Sequence, residues 1–129
     1  MPIPFPSAVP QSYPKESELR WSKSERATAR KAFDYALNQE LQEVIQQAKQ
    51  MAAAIKQPSD LWELEHHLTQ RRKEIDRKYE YRASKLSFVF GTLLHEGRLI
   101  EEDLRGLRED KLDAIRSYAD FLAKVDVDA

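Results

Sequence analysis

The chain has no cysteine, and glycine occurs only at Gly91, Gly97 and Gly106. The first absence excludes disulfides, thiolate metal sites, iron–sulfur clusters and cysteine nucleophiles, and suits a reducing cytoplasm. So few glycines exclude phosphate-cradling loops and disfavour strand-rich folds, which need glycine at tight turns and close backbone approaches. No run nears the roughly 18 apolar residues that a membrane span requires. The opening MPIPFPSAVPQSYPK lacks the basic start and apolar run of a signal peptide. An excess of positive charge is missing too, with 21 Lys and Arg set against 22 Asp and Glu. Nucleic-acid binders displace counterions with basic surface, so none of that kind is expected. What remains at 129 residues is one domain, expected in the cytoplasm.

Proline is present but segregated. Pro2, Pro4, Pro6, Pro10 and Pro14 fall in the first twenty residues, where fixed φ and missing amide donors oppose helix and sheet. Residues 1–20 read as an extended or disordered arm, and no P-x-x-P core with flanking basic residues marks them as a docking ligand. The helical domain is expected over 21–125.

Within it the apolar spacing is helical. Ser22 and Glu25 have capping-box spacing, and Phe33, Leu37, Leu41, Val44, Ala48, Met51 and Ile55 then recur every three or four residues. After Pro58, a cap at Ser59 or Asp60 opens a second run: Leu61, Leu64, Leu68, Ile75, Tyr79, Leu86, Val89 and Leu93. Gly97 ends it. The spacing predicts two helices of more than 30 residues, each on the order of 50 Å long. A short turn at Ile100–Leu104 and a short helix from Glu109 form a head over Phe88, Val89 and Phe90. The fold class is therefore all-α: two long antiparallel helices plus a small C-terminal helical head. A lone hairpin leaves part of its apolar seam wet, so the unit is expected to pair as an elongated homodimer.

Candidate chemistry is sparse. Glu63 and His66 have the Glu-x-x-His spacing of a di-metal helix, but such a centre needs two of these motifs and two more glutamates. A solvated charged face is the better account, and neither metal nor cofactor is expected. His66 and His67 lie about 100° apart on a helix and cannot share an ion. His95 suits the negative end of a helix dipole and is assigned no chemistry. The basic residues from Arg71 to Lys85, interleaved with Glu74, Asp76 and Glu80, read as a salt-bridged surface. Arg72 stands apart, since it falls on the apolar stripe between Leu68 and Ile75 and needs a partner: Asp76, or Glu65 of a second chain. With Trp62 nearby, the pair has the composition of an interface hot spot.

Taken in order, Trp21-Ser22, Phe33, Glu40-Leu41, Asp60-Leu61-Trp62, Arg72, Glu74-Ile75-Asp76, Lys78-Tyr79, Arg82, Phe88-Val89-Phe90, Leu93-Leu94, Glu96-Gly97 and Asp110-Lys111 resemble the fluorescence recovery protein family of cyanobacteria. The resemblance runs from about residue 21 to about 115. It implies a non-enzymatic, all-α homodimer that binds the light-activated red form of orange carotenoid protein, chiefly through that protein's C-terminal domain. Members speed its return to the resting orange form and its release from the phycobilisome. By position, Trp62 and Arg72 match the family's functional Trp and Arg at the dimer and partner surface, and Phe88 matches an aromatic of the head. Glu65 and His66 stand where the family has a His-Asp pair, in the same functional patch, and His67 replaces an aromatic. A related client protein, in an organism without phycobilisomes, is the alternative the resemblance leaves.

Overall fold

The structure, a computed structural model, describes residues 19–128, with side chains to Asp126. The proline-rich arm reading falls largely on residues 1–18, outside the described residues. Among the described residues all regular structure is helical: α1 (Lys23–Ala53), α2 (Pro58–Lys78), α3 (Leu86–His95), a 3-10 turn at Glu101–Leu104, and α4 (Glu109–Asp128). None of these helices is long and apolar enough to cross a membrane.

α1 starts where its capping box places it. Ser22 Oγ accepts from Glu25 N at 3.2 Å, and Glu25 Oε1 accepts from Ser22 N at 3.0 Å. The cap of α2 differs from the expected Ser59 or Asp60. Gln57 is the N-cap, Pro58 occupies the first turn, and Asp60 Oδ2 accepts from the amides of Lys56 and Gln57. Pro58 is suited to that first turn because its missing N–H has no partner there anyway.

The single long helix expected up to Gly97 is in fact two, parted by residues 79–85. Tyr79 and Tyr81 explain the break. Both rings meet Phe33 edge-on, at 5.5 and 5.0 Å between centroids. On a helix, residues i and i+2 point some 200° apart, whereas in extended chain they share a side. Tyr81 Oη also donates to the Arg26 carbonyl at 3.2 Å. Helix periodicity resumes in α3 and hid the interruption.

Gly97 does end that segment. With φ at +78° it follows α3, and the amides of Gly97 and Arg98 bond the carbonyls of Leu94 and Leu93. This is the pairing of a Schellman C-cap. The core lies at the head end, where Trp21, Phe33, Leu86, Phe90, Leu93, Leu99, Leu104 and Ile115 pack together. α4, at 20 residues, is longer than the short helix expected. It packs closely on α3 at Gly91, where an added Cβ would stand 2.9 Å from Tyr118 and 3.1 Å from the Ile115 carbonyl.

Candidate partner-binding surface

α2 has two different sides. Towards α1 it turns Leu64, His67, Arg71, Ile75 and Lys78, of which Ile75 is buried. His67 Nε2 lies 3.2 Å from Gln47 Oε1, one of the contacts that join the two antiparallel helices. Outward it turns Leu61, Trp62, Leu68 and Arg72, with Trp62 64% exposed. Arg72, expected to need a partner on a packed stripe, has a side chain 85% exposed, and its Nε stands 3.8 Å from Asp76. The arginine that packs inward is its neighbour Arg71. Glu65 Oε2 accepts from Thr69 Oγ1 at 3.0 Å, and His66 is exposed beside it. Trp62, Glu65 and Arg72 share one stripe at intervals of three and seven, and His66 borders it.

From Leu41 to Glu74 no residue is buried. Leu41 and Ile45 on α1 are exposed, as are Leu61 and Leu68 on α2. About 100° per residue, run antiparallel across the hairpin, puts these four on the same flank, with Arg72 among them. Half of the hairpin thus presents apolar side chains that the described residues do not cover.

Phe88 belongs to a different place. Its ring packs edge-on against Tyr118 at 4.9 Å, with Lys85 Nζ 5.9 Å from its centre. It lines an open groove of about 570 Å³ with Glu74, Arg77, Lys85, Thr92 and Tyr118. Among the described residues no hydrogen bond, ion pair or ring contact joins it to Trp62 or Arg72. Nor does any group of three metal-ligating side chains gather there, so Glu63 and His66 find no third ligand among the described residues.

Sequence reasoning missed the buried ion pairs that hold this surface in shape. Glu40 is fully buried and receives Lys78 Nζ at 2.9 Å on both oxygens, Tyr79 Oη at 2.9 Å, Arg71 at 3.1 Å and Arg98 at 3.2 Å. Burial pushes its carboxyl up, but the hydrogen bonds and charges of these donors outweigh it and leave the acid below its usual range. Arg71 and Lys78, read as salt-bridged surface, are corrected to members of this buried cluster. The signal was present: Glu40 lies four residues past Ala36 and four before Val44, on the apolar stripe.

In the head, Lys111 Nζ and Glu25 Oε1 pair at 3.1 Å, both nearly inaccessible to solvent. Glu25 also accepts from the amides of Ser22 and Arg108. Burial raises the Glu25 acid, yet these bonds and Lys111 bring it down to about 2.

A sequence and a fold of this kind are already known. The model of the photoprotection regulator fluorescence recovery protein family matches residues 21–119. The chain belongs to this family. It is 38% identical over 103 residues to the fluorescence recovery protein of Synechocystis sp. (strain ATCC 27184 / PCC 6803 / Kazusa), covering 80% of this chain and 94% of that protein. The solved structure of the Fremyella diplosiphon fluorescence recovery protein superposes with a TM-score of 0.73 at 40% identity, covering 78% of this chain and 98% of the other. That of the Synechocystis protein gives 0.73 at 38% identity, with the same coverage. The family is one of photoprotection regulators, which agrees with the expectation of a regulatory role.

Proposed function

We propose that the chain works as a homodimer that binds orange carotenoid protein and speeds its return from the active red to the resting orange form. The unburied hairpin from Leu41 to Glu74 carries this reading, because its apolar flank is what a second copy would cover. In the paired state Arg72 gains a carboxylate across the interface, with Glu65 of the second chain the candidate, and Trp62 supplies an aromatic anchor. Phe88, on the separate head groove, and His66, at the edge of the stripe, supply contacts to the client.

No bond is made or broken in this mechanism. A partner that binds the resting-like arrangement of its client more tightly than the red one shifts the population towards it. The differential affinity sets how far the shift can go.

The test is the dark relaxation of activated orange carotenoid protein, followed by absorbance, with the chain in excess and with its Arg72→Leu variant. Acceleration by the first and not by the second supports the reading. An unchanged rate, from a chain that is dimeric by light scattering, would sink the photoprotective part. It would favour instead a different protein client, the reading that Glu65 and His66 support by standing in place of the family's His-Asp pair.

A further inference from the structure

On the head, the described residues leave a second apolar surface uncovered. Phe88 and Tyr118 meet edge-on, Tyr118 stacks on Phe121 at 5.9 Å, and Val125 continues the same face of α4 one turn further. Phe121 is 55% exposed and Val125 46%. The result is an aromatic ridge spanning α3 and α4. Residues 120–128, which carry Phe121 and Val125, lie beyond the family match, and so do residues 1–20.

We propose that the N-terminal segment, residues 1–18, docks on this ridge as an internal ligand of the head. Three observations carry it. Residues 1–14 contain no charged side chain in a chain that is 33% charged, and they offer Ile3, Phe5 and Val9 between prolines. The φ that each proline fixes lowers the entropy lost when such a chain docks, whatever surface receives its apolar side chains. The described chain also starts at the head itself, with Leu19 buried and Trp21 set 6.4 Å from Phe90, two residues from Phe88. Eighteen residues reach up to about 60 Å when extended, more than enough to cross from there to α4. The other apolar face, on the hairpin, has its own occupant in the second copy, and in this one respect the inference rests on the proposed dimer; Phe88, proposed above as a client contact, lies at the α3 edge of the ridge, so the arm and the client would occupy it in turn.

The experiment uses the full chain with a photo-reactive benzophenone side chain in place of Phe5. Crosslinks mapped by mass spectrometry are expected at residues 85–92 and 114–125, in the same chain or its dimer partner. The yield should fall by roughly fivefold or more in Phe121→Asp/Val125→Asp, because two exposed apolar anchors are lost without touching the core. Crosslinks on the hairpin between residues 41 and 72, no crosslink at all, or a yield indifferent to those substitutions would overturn the proposal. So would a halved solution mass of the Phe121→Asp/Val125→Asp chain, which would show that a second copy covers the ridge. None of these readouts involves a client, so failure of the arm proposal and failure of orange carotenoid protein recognition are separable.

Discussion

Glu40 in α1 and Lys78 at the end of α2 are 38 positions apart, yet Lys78 Nζ reaches both carboxylate oxygens of Glu40 at 2.9 Å. Arg71 and Arg98 converge on the same carboxylate, so one buried anion holds three cations from α2 and the loop after α3. Removing a single partner from a buried ion cluster leaves uncompensated charge, which is costlier than the pairing is favourable. Glu40→Gln is therefore expected to lower stability by roughly 3–5 kcal/mol. Urea unfolding followed by circular dichroism measures it. A loss under about 1 kcal/mol would mean that the cations re-pair with Glu43 and Glu96 without penalty.

Glu25 predicts an acid limb. Its folded pKa, about 2, lies below that of an unfolded glutamate, near 4.3. A depressed acid contributes stability that is present above the unfolded value and is lost as pH falls through the folded one. The chain should thus lose stability between about pH 4.5 and pH 2, and Glu25→Gln should be less stable at neutral pH and flatter across that window. Equal slopes for the two proteins, from unfolding midpoints at several pH values, would remove Glu25 from the account.

The two buried acids also show where sequence reading succeeded and where it stopped. Helix class, the start of α1 and the Gly97 cap were legible because each depends on neighbours within a few positions: Ser22 with Glu25, Gly97 with Leu93 and Leu94. The break at Tyr79 was not, since it is made by Phe33 across the fold and leaves the three-and-four spacing intact on either side. Nor was the exchange of roles between Arg71 and Arg72. Both lie within the range of an apolar stripe, and the packing of α1 decides which one turns inward. Trp62 and Phe88 could be named from the family pattern, but their separation into two surfaces follows from the same break.

Gly91 tests the close contact of α3 with α4. Of the nearest atoms to an added Cβ, the Tyr118 ring can yield, but the Ile115 carbonyl at 3.1 Å belongs to the helix backbone. Gly91→Ala is expected to destabilise by about 1–3 kcal/mol, as small-to-large changes in packed sites do. Thermal unfolding reads the loss. A neutral or stabilised variant would show that α4 can move away at no expense and that the head is loosely held.

Arg71 and Arg72 are neighbours with opposite predicted phenotypes. Arg71 donates to the buried Glu40, so Arg71→Leu removes a member of the cluster and should lower stability by roughly 3 kcal/mol. Arg72 and Trp62 are exposed in the single chain, where such substitutions ordinarily change stability by no more than about 0.5 kcal/mol. If the hairpin flank is the dimer interface, however, the same two side chains become anchors worth about 2 kcal/mol or more each, so dimerisation should weaken by roughly thirtyfold. Light scattering across a dilution series, paired with circular dichroism, separates the two effects. Arg72→Leu and Trp62→Ala should dissociate while keeping their helix content, and Arg71→Leu should lose helix at lower denaturant. If Arg72→Leu and Trp62→Ala stay dimeric on dilution like the parent, the stripe of α2 is not the interface, and the uncovered flank at Leu41, Ile45, Leu61 and Leu68 must be assigned to the client instead.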